Sequence, residues 1–351
     1  MLAIEMKVLA MINELLNRCL NHETLSEHDA ELLMSEIMLG RLTDSQIASF
    51  ITLLRFRGET VDELVGFARA MRNMAEPFPL QTERTIDTCG TGGDGLSTFN
   101  ISTATAIVLA SMNIPVTKHG NRSVSSKTGS ADVFEALGID IQSTVTEAAE
   151  KLKRQSLCFM FAPLYHPSMK HVMKTRKELG FRSIFNLLGP LTNPAGAQHQ
   201  LLGVNSRSTA DQIGQVLNRL GTAHSIVVSG ADGLDECAIH GKTYLVDVKA
   251  GETHSYVIQP EDYGLKQGSL SAIQVHSSYE SAQLINQILL NEAPSEAIDI
   301  VVFNAGVALY AGDYVDSIQA GVDRTKAALL TKQSFTYLTS IQNENRGIKH
   351  A

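Results

Sequence analysis

The stretch from Asp87 to Thr103 sets Gly90, Gly92, Gly93 and Gly95 around Asp94 and follows them with Ser97, Thr98, Asn100, Ser102 and Thr103. Glycine allows positive φ and lets backbone N–H groups approach a ligand with no Cβ in the way. The hydroxyls and amides behind it can all donate to phosphate oxygens. Thr85 to Cys89 upstream reads as a short strand, and Ala104 to Ala110 downstream as a buried helix. A strand, a glycine loop and a helix N-terminus in that order make an anion site. They also commit this part of the chain to an α/β architecture.

The rest of the chain beyond Glu76-Pro77-Phe78-Pro79, a helix-breaking boundary, keeps that alternation. Ile114 to Thr117 reads as a strand delivering Lys118-His119-Gly120-Asn121-Arg122, and Ser130 to Leu137 as a helix stopped by Gly138. Strands at Leu157–Phe161, Gln200–Val204 and Ser225–Val228 are separated by helical segments, which implies a mostly parallel sheet covered on both faces. No helix separates Tyr244–Val248 from Tyr256–Ile258, so an antiparallel piece is expected there. From about Tyr279 the chain is mostly helical, with a long C-terminal helix near Asp316 to Leu330. Residues 1 to about 75 differ in texture. Capping-box patterns at Ser26/Asp29, Thr43/Gln46 and Thr60/Glu63, with Gly40 and Gly58 at helix ends, predict a small helical unit.

Net charge of −8 speaks against nucleic acid as the main partner. Cys19, Cys89, Cys158 and Cys237 are scattered, which suits reduced thiols in a cytoplasmic protein rather than a zinc knuckle or a disulfide framework. No apolar run has the length of a membrane span.

Gly90-x-Gly92-x-x-Gly95 formally matches a dinucleotide fingerprint, but that fold needs an acid at the end of the second strand. Lys118-His119 stands there instead, and no Lys-Ser/Thr follows the glycines as a Walker loop requires. A cation suits a second phosphate. The run from Lys118 to Ser130 reads either as a solvated polar loop or as the other half of a clamp on a ligand with phosphates at both ends. Asp232-Gly233-Leu234-Asp235-Glu236, after a strand, reads either as solvated surface or as a magnesium site beside that ligand, with Ser102 adding a hydroxyl.

Taken together, Asp87-x-x-Gly90-Thr91-Gly92-Gly93-Asp94-Gly95 with Phe99-Asn100-Ile101-Ser102-Thr103, then Lys118-His119-Gly120-Asn121-Arg122-Ser123-Val124-Ser125-Ser126, then Asp232 to Glu236, resemble the anthranilate phosphoribosyltransferases of tryptophan biosynthesis. The resemblance runs along nearly the whole chain and includes His166-Pro167 and Arg182 to Pro194. It implies a helical domain over 1–76, with residues about 168–190 packing near it, and an α/β catalytic domain over 77–351. The implied fold is of the nucleoside phosphorylase/phosphoribosyltransferase type. The implied reaction joins anthranilate to phosphoribosyl pyrophosphate, with a site in the cleft between the domains, about two magnesium ions and a homodimer built through the helical domain. A pyrimidine nucleoside phosphorylase-like enzyme and a non-catalytic nucleic-acid-binding relative are the alternatives. The first gives Asp235-Glu236 no purpose, and the second calls for a basic groove.

By that resemblance, the phosphoribosyl donor would be held by Gly90, Gly93, Asp94, Thr98, Asn100, Ile101, Ser102 and Thr103, and by Lys118, His119, Gly120, Asn121, Arg122, Ser123, Val124, Ser125, Ser126 and Ser130. Anthranilate would meet Gly90, Asn121, His166 and Arg176. Ser102, Asp235 and Glu236 would bind magnesium. His119 is the candidate for a general base, or else a hydrogen-bonding residue. Displacement of pyrophosphate by an aromatic amine needs no nucleophilic side chain, and the sequence shows no triad arrangement.

Overall fold

A computed structural model describes residues 2–80, 82, 84–123 and 129–349. Val124, Ser125 and Ser126, three of the expected donor contacts, lie outside the described residues. The chain divides into two compact units: Met1–Glu76 with Tyr165–Thr192, and Pro77–Leu164 with Asn193–Ala351.

The first unit is helical. It contains α1 (Leu2–Leu20), α2 (Glu27–Met38), α3 (Asp44–Arg57) and α4 (Val61–Asn73). Thr43 and Thr60 open α3 and α4 with reciprocal capping boxes to Gln46 and Glu63, each worth about 1 kcal/mol. At α2, Ser26 accepts the Asp29 N–H, while the Asp29 carboxylate turns to Arg18 at 2.9 Å. Glu63 does more than cap: buried, it also accepts from Leu25 N at 2.9 Å and from the Arg57 guanidinium at 2.5 Å. Helices Lys170–Leu179 and Ile184–Leu191 complete the unit, burying Val172, Ile184, Leu188 and Leu191 against α2, α3 and α4. At Gly40, where φ is +71°, a Cβ would stand 2.6 Å from the His171 ring. The α/β unit is accordingly discontinuous, in contrast to the unbroken 77–351 range expected above.

The second unit carries one sheet of seven strands: β1 (Ile86–Gly90), β2 (Val116–Gly120), β3 (Leu157–Phe161), β4 (His199–Gly203), β5 (His224–Gly230), β6 (Thr243–Lys249) and β7 (Glu252–Ile258). Their order is β3-β2-β1-β4-β5-β6-β7, parallel through β5 and antiparallel from β5 to β7. Strands β3, β4 and β5 are buried at every position, as a sheet covered on both faces demands. Helix α5 (Ile101–Ser111) and helix Ser295–Ala311 are buried almost all round and pack on each other.

Several boundaries differ from the sequence reading, β7 by starting at Glu252, and two of them matter here. Strand β2 starts at Val116, because Pro115 has no N–H for the ladder and offers only its carbonyl, to Ile86 N at 3.0 Å. Lys118, His119 and Gly120 therefore lie inside the strand rather than after it. At the C-terminus, Lys332 at φ +55° separates helix Ile318–Leu330 from a further helix, Gln333–Lys349. Among the described residues, no helix is long and apolar enough to cross a membrane.

The order of strands reverses at β1. The chain goes from β1 outward to β2 and β3, then returns on the other side as β4 and β5. Neighbouring strand ends diverge at such a point, and ligands of open α/β sheets occupy the crevice beyond their carboxyl ends.

Candidate active site

Three separate stretches of sequence meet beyond the carboxyl ends of β1, β4 and β5. Strand β1 runs out at Gly90, and Thr91 N donates to Gly203 O of β4 at 2.9 Å. The chain following β5 then crosses both strand ends. A Cβ on Gly90 would lie 2.5 Å from Asp235 Oδ2, and one on Gly203 would lie 1.5 Å from the Asp235 carbonyl oxygen. Gly92 N donates to Asp235 Oδ2 at 2.7 Å. The acidic pair is therefore seated on the glycine loop, and the solvated-surface reading of Asp235 and Glu236 fails.

Behind the loop, Asn100 caps α5. Its Oδ1 accepts from Thr103 N at 2.9 Å and from Ser102 Oγ at 3.2 Å. Thr88 Oγ1 ties to Ser102 O at 3.0 Å, and the Ser102 backbone tends to lower the Glu236 pKa. Asp94 turns its own loop by accepting from Leu96 N at 3.0 Å. Thr98 lies against Gln274 as an isolated bridge. Ile101 and Thr103, both among the expected contacts, turn their side chains into the core. Thr103 in addition spends its N–H on the cap.

Lys118 enters this group from β2. Only 2 % exposed, it donates from Nζ to Thr88 O and, at 3.0 Å, to Ser102 Oγ. Burial pushes its pKa down, against the pull of Asp87, Cys89 and Glu236. Asp87 is fully buried. It accepts from His119 N at 3.4 Å, Asn193 Nδ2 at 2.9 Å and Gln200 Nε2 at 3.3 Å. Burial raises the Asp87 carboxyl, and Lys118 and these donors hold it back. Asn193 also donates to Thr117 O at 2.8 Å, so the loop that it begins is bonded to both β1 and β2. His119 is buried on the opposite face of β2 from Lys118, as strand alternation requires.

Glu236 gives the site its electrostatic character. Burial drives its pKa well above the carboxylate range, Asp235 raises it further, and Lys118 opposes both. Glu236 and Asp235 are adjacent carboxylates, one of them buried, within electrostatic reach of Asp94 and Lys118. Among the described residues no three His, Cys, Asp or Glu side chains are grouped to hold a metal, so any cation here draws on these two carboxylates, the Ser102 hydroxyl and water. A hard divalent cation that keeps several waters and bonds to phosphate fits that set.

The end of β2 is arranged differently from expectation. The Arg122 side chain is engaged by carboxylates. It donates to Asp132 Oδ1 at 2.8 Å and to both oxygens of Glu135, at 2.5 and 2.8 Å, and lies over the Phe161 ring. Asp132 also accepts from Ser123 N at 3.0 Å, and Ser130 Oγ donates to Asn121 O at 3.4 Å. Gly120 is needed because a Cβ would sit 2.3 Å from Ser130 Oγ.

Two of the four residues expected at the acceptor, His166 and Arg176, belong to the helical unit. Arg176, half-buried, stacks over Phe185 at 5.1 Å. Burial lowers its pKa, and no carboxylate of the described residues pairs with it. His166 is buried, and its Nε2 donates to Thr192 O at 2.9 Å. Burial lowers its pKa, with that bond opposing. The sign follows from linkage: the folded state resists protonation, so stability is complete above the ordinary imidazole pKa and falls as pH drops through it. His166→Gln, which keeps an N–H donor, should flatten the decline in urea midpoint between about pH 7 and about pH 5. An unchanged slope would refute this.

Two residues important to the geometry carry no motif. Gly203 makes room for the Asp235 backbone, and Asn304 holds the backbone of Cys237 with two bonds. A lone glycine at a predicted strand end signals close backbone approach in principle. An asparagine in an apolar helix gives no comparable signal of its partner.

The profile of the glycosyl transferase family a/b domain matches residues 82–333, and that of the family's helical bundle domain matches residues 13–75. The chain is 57 % identical over 341 residues to the anthranilate phosphoribosyltransferase of Shouchella clausii, covering 97 % of this chain and all of that one. It is 51 % identical over 342 residues to that of Halalkalibacterium halodurans, with the same coverage. The crystal structure of anthranilate phosphoribosyltransferase from Thermus thermophilus superposes with a TM-score of 0.88 at 36 % identity, covering 94 % of this chain and 99 % of that one. The Saccharomyces cerevisiae enzyme, solved in complex with PRPP and Mg, shares the fold, with a TM-score of 0.88 at 24 % identity over 96 % of this chain and 98 % of that one. With its glycine loop, buried lysine and acidic pair gathered at one switch point, the chain belongs to the anthranilate phosphoribosyltransferase family.

Proposed function

We propose that this enzyme transfers the phosphoribosyl group of 5-phosphoribosyl 1-pyrophosphate to the amine of anthranilate, in tryptophan biosynthesis, using the group built around Asp235, Gly92, Ser102 and Lys118. The observation that carries the site is the 2.7 Å bond from Gly92 N to Asp235, which joins the phosphate loop to the acidic pair.

In this reading the amine nitrogen bonds to C1 of the ribose as the bond to pyrophosphate breaks, and the amine then loses a proton. The glycine loop and the N-terminus of α5 would lie against the phosphates, and Lys118 adds a buried amino group at the same strand ends. Asp235, Glu236 and Ser102 would hold magnesium, about two ions of it with the donor bound, which neutralises charge on the leaving pyrophosphate. Asp94, Thr98 and the segment from Asn121 to Ser130 contribute polar contacts, Ile101 through backbone only and Thr103 through the cap that it shares with Asn100. The amine proton leaves to solvent or to His119, the candidate base, which is buried in β2 on the face opposite Lys118.

Arg176 receives the anthranilate carboxylate: it is a guanidinium already desolvated against Phe185 and lacking a carboxylate of its own among the described residues. His166 lines the acceptor's path and fixes Thr192. Anthranilate fluorescence should fall only when phosphoribosyl pyrophosphate and magnesium are both present; persistent fluorescence with folded protein would sink the proposal. Arg176→Ala should raise KM for anthranilate about ten- to a hundredfold, the worth of a hydrogen bond to a charged group, with KM for the donor little changed. Equal effects on both substrates would remove the assignment.

A homodimer through the helical unit is part of the same reading. Leu20 and Phe56 stand 59 % and 79 % exposed there. A groove of about 690 Å³ lined by Leu16, Leu20, Thr52 and Leu53 opens between α1 and α3. A cytoplasmic location agrees with cysteines that are all unbridged.

A further inference from the structure

We propose that Asn304 positions the Asp235–Glu236 carboxylates for the divalent cation by holding the backbone of Cys237. The inference rests on the magnesium assignment made above.

Between β5 and β6, after the short 3-10 helix Ala231–Gly233, the chain passes through the core without regular structure. Leu234, Cys237, Ala238 and Ile239 are fully buried, and Glu236 is 8 % exposed. Each backbone N–H and C=O in such a segment needs a partner supplied from elsewhere. Leu234 O accepts from Gly230 N at 2.8 Å, and Ala238 N donates to Thr243 Oγ1 at 2.8 Å. Cys237, directly after Glu236, receives both of its bonds from one side chain. Its N–H donates to Asn304 Oδ1 at 2.9 Å, and its carbonyl accepts from Asn304 Nδ2 at 3.1 Å.

The amide is itself held. Nδ2 donates its second hydrogen to Ile300 O at 2.8 Å, one turn back in helix Ser295–Ala311, so the orientation of the side chain is set by that helix. Asn304 thus pairs with Cys237 as an adjacent strand would. From the other side the segment rests on glycines: a Cβ on Gly203 would meet Asp235 O at 1.5 Å, and one on Gly230 would meet Glu236 O at 2.6 Å. The peptides carrying the two carboxylates are held between those glycines and the asparagine. Without the amide, two buried polar groups beside Glu236 lose their partners. The segment would rotate to recover them and carry the carboxylates with it. Asn304 makes no bond to either carboxylate, so it is a positioning residue.

The test is Mn2+ binding, followed by electron paramagnetic resonance with inorganic pyrophosphate present, in the full-length protein and in Asn304→Leu. The dissociation constant should rise about ten- to a hundredfold, the usual effect of removing a group that orients metal ligands. The magnesium concentration for half-maximal turnover should rise by the same factor, with kcat restored at high magnesium. A purely structural role would lower the melting temperature and the active fraction and leave the metal constant alone. If Asn304→Leu does not fold, Asn304→Ser, which leaves room for a bridging water, carries the same measurement. An unmoved Mn2+ constant in a folded variant overturns the proposal. Asp235→Asn provides the reference: if it too leaves Mn2+ binding unchanged, the metal assignment has failed rather than the role of Asn304.

Discussion

Gly203→Ala should cost at least about 3 kcal/mol of stability and about two orders of magnitude in kcat/KM, although no substrate atom need touch residue 203. The added Cβ would stand 1.5 Å from the Asp235 carbonyl oxygen, 2.4 Å from its carbonyl carbon and 3.2 Å from its Cα. An overpacked side chain normally relaxes by changing rotamer, which keeps the cost within about 1–3 kcal/mol. Here the obstacle is main chain, tied to the glycine loop through Gly92 N and to Asn304 through the next residues. The segment must therefore shift as a unit and take both carboxylates with it. A displacement of about 1 Å in a catalytic constellation is enough for about a hundredfold loss. Chemical denaturation and steady-state kinetics measure the two effects. A variant with both within twofold of the parent would show that the segment is not held as described.

The double substitution Asp235→Asn with Glu236→Gln should lower magnesium-dependent kcat/KM by about two to three orders of magnitude, about 3–4 kcal/mol of transition-state stabilisation. Its effect on stability should have the opposite sign. Glu236 is buried beside Asp235 and driven strongly toward its neutral form, so in the metal-free protein the pair opposes folding. Neutral amides of the same shape relieve that repulsion. The variant should melt at or above the parent temperature without magnesium and should lose the rise that magnesium and pyrophosphate give the parent. Most buried substitutions lower stability and activity together, so opposite signs would be diagnostic. A variant as active as the parent at every magnesium concentration would disprove the assignment.

Much of this arrangement was legible from local sequence. Thr43/Gln46 and Thr60/Glu63 form reciprocal boxes because capping needs only residues three apart. The glycine loop, the strand before it and the helix after it are likewise set by neighbours in the chain. Lys118, read from the sequence as standing just after the second strand, lies within β2 and reaches the start of α5.

What was not legible depends on partners distant in sequence. The cations of Lys118 and Arg122 look alike on paper. Only the folded chain shows the first buried among site groups and the second occupied by Asp132 and Glu135. Asn193 reads as a shaped loop, yet its amide is bonded to Asp87 and Thr117 in two other strands. Asn304 lies in an apolar run whose pattern announces burial and nothing more. The return of Tyr165–Thr192 to the helical unit was only half visible, because amphipathic helices state that they need a partner surface without stating which.

That return has a consequence for biosynthesis. The ribosome releases Met1–Glu76 roughly 90 residues before it begins the segment that completes the same unit. At about 5–20 residues per second, the nascent bundle waits about 5–20 s with the surface destined for Val172, Leu188 and Leu191 uncovered, while β1 to β3 are being made. A fragment ending at Glu76 reproduces this unfinished intermediate, not the native helical unit. Expressed alone, it would offer chaperones and other nascent chains the same bare surface for as long as it persisted.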